Sequence, residues 1–210
     1  MKLTHTVATL AATLITIGSL AGGANAATLT TTFAGGNSQN GNMFDVNIIS
    51  TTDLLVTSLD LNMNMDMSVE TSDIEVYGRT GSWVGFEGSS VGWTLLSQTP
   101  SVTGNGAGLS TTVNINDIVL PALSTYALYI TTTTGLLNYT NGTSVGNVFA
   151  QNADLQILEG AGTVYAFSSS FTPRVWNGSI TYNTVIPEPT SALLLSLSAI
   201  GIVARRRRIK

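Results

Sequence analysis

The chain has 210 residues, of which 43% are hydrophobic and only 10% are charged, and its formal net charge at pH 7 is −4. It contains no cysteine and one histidine, His5. These counts exclude disulfide bonds, thiolate nucleophiles and zinc sites built from His and Cys, because each requires residues that the chain lacks.

The first 26 residues predict a secretory signal peptide. Lys2 supplies the positive charge, residues 7–20 form an uncharged and mostly apolar run, and Ala24-Asn25-Ala26 is an A-x-A cleavage site. We therefore expect the mature chain to begin at Ala27. A run of about 14 apolar residues is shorter than a bilayer requires, which disfavours a permanent anchor. The following domain is expected to be exported.

Residues 27–186 are much more acidic than the whole chain, because most cations lie outside them. Two arginines, Arg79 and Arg174, stand against eleven carboxylates, a net charge of −9. Such a surface disfavours nucleic acid and anionic lipid headgroups, and favours neutral glycans or divalent cations. The segment also has no His, Lys or Cys, which excludes a Ser-His-Asp triad, a Schiff base and a P-loop. The carboxylates are Asp45, Asp53, Asp60, Asp66, Glu70, Asp73, Glu75, Glu87, Asp117, Asp154 and Glu159.

The same residues read as a succession of β-strands. The clearest is residues 59–70, where strict alternation predicts Met63 and Met65 on a buried face and Asn62 and Asn64 in solvent. About nine such segments, separated by Gly- and Asn-rich turns and without crossover helices, predict one antiparallel β-sandwich domain, jelly-roll-like, over residues 27–186. The other eight are residues 43–49, 74–79, 93–96, 110–115, 126–134, 155–158, 164–167 and 179–182.

Two groups of oxygen-bearing side chains are candidates for chemistry. Asp73 and Glu75 share one strand face and, with Glu87, form the only plausible carboxylate pair for glycoside hydrolysis. Surface carboxylates meet that spacing by chance, so the sequence favours no catalytic residue. Residues 60–66 begin like a calcium loop, D-x-[DN]-x-[DN], but lack its sixth-position Gly and its final Glu. They predict the solvent face of a strand, with weak calcium binding at most, and no dedicated metal site or cofactor.

Exposed aromatic side chains are the usual means of stacking on neutral sugars. Trp83 lies between Gly81 and Gly85, in a segment too glycine-rich for a core strand. It is therefore the candidate glycan contact. Trp93 and Tyr129 lie in apolar strands and are expected to be buried.

Part of the mature region resembles a secreted bacterial β-domain that often precedes surface-sorting signals. The resemblance is carried by residues 76–87, 93–96, 139–143 and 171–180, about half of the chain with the intervening segments. It implies a β fold and an exterior location, and it implies no activity.

The last 24 residues have three parts in order. Pro187-Glu188-Pro189 is followed by an uncharged run at 190–204 and then by four arginines, Arg205, Arg206, Arg207 and Arg208. The run predicts a short transmembrane helix, and the arginines predict a cytoplasmic stop-transfer cluster. This tail resembles the PEP-CTERM signal of exopolysaccharide-producing Gram-negative bacteria. The resemblance implies transient insertion in the inner membrane and cleavage at the tripeptide by an exosortase.

The sequence thus predicts an exported protein of the cell surface or extracellular matrix with a non-catalytic, structural or adhesive role, associated with extracellular polysaccharide in a biofilm setting. A glycan-binding module is the alternative, and a carboxylate-dependent glycoside hydrolase is disfavoured. A single-pass anchor whose tail is retained remains the alternative for the C-terminal segment.

Overall fold

The computed structural model describes residues 26–64 and 71–185. These residues form fourteen strands joined by antiparallel pairing, and no helix occurs among them. The strands are β1 Ala26–Thr30, β2 Asn37–Gln39, β3 Gly41–Ile48, β4 Leu54–Asn64, β5 Ser72–Thr80, β6 Thr94–Val102, β7 Ser110–Leu120, β8 Thr125–Thr132, β9 Leu136–Asn141, β10 Val148–Gln151, β11 Leu155–Leu158, β12 Gly160–Thr163, β13 Ser170–Trp176 and β14 Gly178–Thr184.

The strands form two layers that share β4. One layer has the order β1-β14-β4-β7. The other is built around β3, with β8, β5 and β6 on one side and β11, β12, β13 and β9 on the other. β4 runs beside β14 and β7 and then pairs with β9 through Met63 and Asn64. The prediction of an all-β antiparallel sandwich is confirmed.

The main core lies between the layers and is made of inward-facing side chains from both. Phe44 stacks on Trp176 with ring centroids 4.8 Å apart, and both are almost completely buried. Met63 is 0% exposed, as the alternation of β4 predicts. Burial of these apolar side chains stabilises a fold that has no cysteine with which to form disulfide bonds.

The same alternation predicts Asn62 in solvent, and this prediction is wrong. Its side chain is 1% exposed, because the segment around Phe33 and the loop containing Gly108 cover this part of β4 on the side away from Met63. Asn64 is half-buried. Met65 and Asp66 lie outside the described residues.

The strand predicted at residues 164–167 is also wrong. These residues form a turn, and the strand that occupies the neighbouring position is β12, four residues earlier. β12 reads Gly-Ala-Gly-Thr, a composition that strand propensity disfavours. Glycine is required at position 160 because β12 and β3 lie too close together for a side chain: a Cβ there would overlap the carbonyl oxygen of Met43.

Candidate functional site

An aromatic cluster covers the outer face of the layer built around β3. The register places Met43, Tyr129 and Tyr77 side by side on β3, β8 and β5, pointing away from the main core. The loop between β5 and β6 and the turn after β12 fold over this face. We call these residues the outer cluster: Met43, Tyr77, Trp83, Trp93, Ala127, Tyr129, Ala161 and Phe167.

Trp83 belongs to the interior of the outer cluster. Its side chain is 2% exposed, and its backbone N–H donates to Asp45 Oδ1 at 3.0 Å. Ser82 Oγ donates to the other carboxylate oxygen at 2.6 Å. These two hydrogen bonds to Asp45 hold the start of the loop between β5 and β6 against the sheet, with the Trp83 indole beneath the loop. The prediction that Trp83 contacts a glycan is corrected, since a buried ring offers no face to a sugar.

Burial raises the pKa of Asp45 above its ordinary value of 3.8, and the bonds from Ser82 and Trp83 offset part of this effect. As the pH rises, the unfolded chain loses the Asp45 proton at a lower pH than the folded chain does. The contribution of Asp45 to the free energy of unfolding is therefore greatest below pH 3.8 and is lost as the pH rises through the higher folded pKa.

Asp45→Asn is expected to lack this loss of stability with rising pH, while its side-chain oxygen still accepts the hydrogen bond from the Trp83 N–H. Denaturant unfolding between pH 3 and 7 checks it, with the exposed Asp117→Asn as the charge-matched control; superimposable pH profiles for wild type and Asp45→Asn would contradict it.

Asp73 and Glu75, the carboxylate pair on β5, both accept hydrogen bonds from other groups of the domain. Glu75 is 8% exposed and accepts a hydrogen bond from the Tyr77 hydroxyl at 2.9 Å. Asp73 Oδ1 accepts from the backbone N–H of Ser101 at 2.9 Å. Burial and this contact with Glu75 raise the pKa of Tyr77, so the phenol stays a hydrogen-bond donor at neutral pH.

Most other carboxylates of the described residues also hold neighbouring segments in place. Asp60 accepts from Thr112 Oγ1 at 2.6 Å, and Glu159 accepts from the backbone N–H of Ser144 at 2.9 Å. The Tyr182 hydroxyl donates a hydrogen bond to the Asp154 carboxylate at 2.8 Å. Burial and this bond raise the pKa of Tyr182 to about 12. In all, seven of the nine carboxylates among the described residues accept hydrogen bonds: Asp45, Asp53, Asp60, Asp73, Glu75, Asp154 and Glu159.

The calcium-like run on β4 does not line one open face. Asp60 bonds to a neighbouring strand, and Asn62 is enclosed by four hydrogen-bond partners. Within residues 26–64 and 71–185, no group of three or more His, Cys, Asp or Glu side chains is arranged to hold a metal ion.

The aromatic rings that do reach solvent are ones the sequence did not single out. Tyr165, in the turn after β12, is 38% exposed, and Phe86, Phe149 and Phe171 are each about 40% exposed. Burial and the charge of Glu75 raise the pKa of Tyr165. Phe86 is covered on one face by the guanidinium of Arg79, whose carbon lies 3.2 Å from the ring centroid.

The two ends of the described fold leave from the same end of the sandwich. Ala26, the first residue of β1, pairs with Asn183 near the end of β14. Val185 then donates its backbone N–H to the carbonyl oxygen of Asp53 at 2.8 Å. The segment that follows Val185 therefore starts directly at the folded domain.

Residues 185–208 match the family model of the PEP-CTERM protein-sorting motif. The chain carries a PEP-CTERM sorting motif. The match includes Pro187, Glu188, Pro189 and the four arginines Arg205 to Arg208, as the resemblance of the tail predicts. Such a motif marks an exported protein that an exosortase sorts through the membrane to the cell surface.

Comparisons of the whole chain add little to the PEP-CTERM match. No curated protein matches it significantly. Among solved structures it is similar to a chain in the structure of infectious bursal disease virus Gx strain, with 14% identity, a TM-score of 0.25, and coverage of 88% of this chain and 48% of that chain. The protein thus spans about half the length of the viral chain, and a likeness at this level carries no argument about function.

Several predictions on the processing segments lie outside the described residues. These are the signal peptide up to Asn25, including Ala24, and the transmembrane helix at 190–204 with its flanking Pro187–Pro189 and arginines. Among residues 26–64 and 71–185, no helix is long and apolar enough to cross a bilayer. Ala26 and Ala27, on either side of the expected signal cleavage, lie in β1 opposite Asn183 and Tyr182.

Proposed function

We propose that residues 27–186 form a non-catalytic structural or adhesive module of the cell surface or extracellular matrix, delivered there by the PEP-CTERM motif. The observation that carries the proposal is the use of the carboxylates. Because the domain has no His, Lys or Cys, acid/base catalysis would depend on Asp and Glu. Asp73 and Glu75, the pair with suitable spacing, instead accept hydrogen bonds from the backbone N–H of Ser101 and from the Tyr77 hydroxyl.

The surface left to solvent suits this role. The domain has a net charge of −9 and two cations, so it stays soluble and avoids anionic partners. Asp45, Asp60 and Glu159 bind loops or neighbouring strands, which restricts local opening of a domain exposed to the exterior. A β-sandwich that resists local opening suits a matrix component.

We expect the purified domain, residues 27–186, to release no product from neutral or acidic polysaccharides. The measurement is a reducing-end assay over a panel of such glycans, with Glu75→Gln as the matched variant. Turnover by the wild-type domain that disappears in Glu75→Gln would establish an enzyme and overturn the proposal.

A glycan-binding module is the second candidate, and the position of Tyr165 favours it. Tyr165 is 38% exposed, so its ring offers a surface on which a sugar can stack. In this candidate Tyr165 takes the role that the sequence suggested for Trp83. Retention on a polysaccharide column that is lost in Tyr165→Ala and kept in Phe149→Ala, an equally exposed ring on β10, would support it; equal retention of both variants would exclude it.

A further inference from the structure

We propose that one end of the sandwich is a docking surface for the membrane-bound exosortase that reads the sorting motif. This junction surface consists of the loop at residues 49–53, the loop at residues 121–124 and Val185. The proposal adds to the motif a second contact made by the folded domain itself, and it does not depend on the role of the mature protein.

No spacer separates the described domain from the motif. β14 ends at Thr184, the motif match begins at Val185, and Val185 is still bonded to Asp53. Pro187 follows two residues later, so even a fully extended chain places it within about 7 Å of Val185. An enzyme that binds the tripeptide therefore meets the junction surface at the same time.

The junction surface carries little charge and exposes apolar side chains. Of the nine residues in its two loops only Asp53 is charged, although the domain as a whole is strongly acidic. The side chain of Leu123 is 71% exposed, that of Ile49 43% and that of Val185 39%. Three apolar side chains are thus gathered at the end from which the motif leaves, and Asp53 bonds to both the motif and the second loop.

Leu123 is held in an unusual backbone conformation by the hydrogen bonds of its loop. Its φ of 50° lies in the left-handed region, which is unfavourable for a leucine. The loop is held by Leu123 N–H to Ser50 O at 3.2 Å, Ala122 N–H to Asp53 Oδ1 at 2.8 Å, and Ser124 Oγ to Pro121 O at 2.6 Å. The leucine gains little burial from this conformation within the domain.

A shallow, open depression lies beside Leu123, with Ile49 and Gln156 also in its lining. An apolar side chain held in one orientation suits a protein partner, because a lipid surface requires no defined orientation of the side chain. The membrane-bound enzyme is the protein that the motif brings to this end. The junction surface is therefore assigned to it.

The test measures conversion of the full-length precursor to the processed form in membranes that contain a matching exosortase. Leu123→Asp is expected to slow conversion roughly tenfold, the effect of removing one central apolar anchor from an interface. Leu109→Asp is the matched control: Leu109 is 58% exposed and lies at the opposite end of β4, next to Gly108, which bonds to Asn62. Equal conversion rates for the two variants and wild type would overturn the proposal.

Three further variants and measurements separate docking from other causes. Leu123→Gly removes the side chain without disturbing the positive φ and is expected to slow conversion as Leu123→Asp does, with an unchanged thermal midpoint. Insertion of Gly-Ser-Gly-Ser after Thr184 keeps residues 185–208 contiguous and is expected to slow conversion, because it uncouples the motif from the two loops. Faster conversion would mean that the domain obstructs the enzyme and would overturn the proposal. Binding of residues 27–185 to phosphatidylcholine vesicles that depends on Leu123 would identify lipid as the occupant and would also overturn the assignment.

Discussion

Replacing Asn62 with Asp is expected to lower the free energy of unfolding by about 3–5 kcal/mol. The side chain is 1% exposed, so the substitution places a carboxylate where there is almost no water. The amide nitrogen of Asn62 donates to the carbonyl oxygen of Phe33 at 3.0 Å, and Asp cannot donate that bond. A charge and an unsatisfied carbonyl would therefore be buried together.

The oxygen of Asn62 is equally engaged. It accepts from the backbone N–H of Gly108 at 2.8 Å and from the Asn138 amide at 3.1 Å. Asn62 therefore joins β4 to β9 and to the two segments that contain Phe33 and Gly108. Loss of this residue is expected to loosen both segments as well as the strand.

The measurement is the denaturant midpoint of the mature domain at pH 7. Asn114→Asp is the control, because Asn114 is an exposed position on β7, the neighbouring strand, and the substitution adds the same charge. The control is expected to stay within about 0.5 kcal/mol of wild type. Similar midpoints for both variants would contradict the structural role given to Asn62.

Asn62 also illustrates what the sequence can and cannot predict about this fold. Alternation along β4 correctly places Leu59, Leu61 and Met63 in the core, since period two is a local property of a strand. It assigns Asn62 to solvent because nothing local shows that distant segments cover the opposite face. Burial on both faces is a property of the tertiary structure.

The failure of the sequence to predict β12 has a related cause. β12 contains two glycines in four residues, and propensity alone argues against a strand there. The glycines are required by neighbours far away in sequence: a Cβ at Gly162 would meet the ring of Tyr139, and one at Gly160 would meet the backbone of β3. Such close approaches are visible only once the layers are assembled.

The functional features divide in the same way. The sorting motif is linear, so its tripeptide, apolar run and arginines are readable without a fold. Composition also requires no knowledge of the fold, so the absence of His, Lys and Cys from residues 27–186 excludes whole classes of catalysis from the sequence alone. The burial of Trp83 depends on its bond to Asp45, 38 residues away, and was not predictable from the glycines beside it. The one local signal for the junction surface is an apolar residue, Leu123, in a Pro-containing turn.

Replacing Gly160 with Ala is expected to remove most of the stability of the domain, at least about 4 kcal/mol. Gly160 lies on β12, whose pairing with β3 on one side and β13 on the other joins the central strands of its layer. The added methyl group would overlap the carbonyl oxygen of Met43 and press on the Cα of Phe44, which are backbone atoms that no rotamer change can move. Relief requires β12 to separate from β3, which breaks ladder hydrogen bonds and opens the core at Phe44. Circular dichroism and thermal unfolding of the purified domain measure the effect.

Gly88→Ala is the matched control, because a Cβ there meets nothing within 4 Å and the residue needs no positive φ. The free energy of unfolding of this variant is expected to stay within about 0.5 kcal/mol of wild type. A Gly160→Ala domain that unfolds at the wild-type temperature would show that β12 and β3 are not in contact as described.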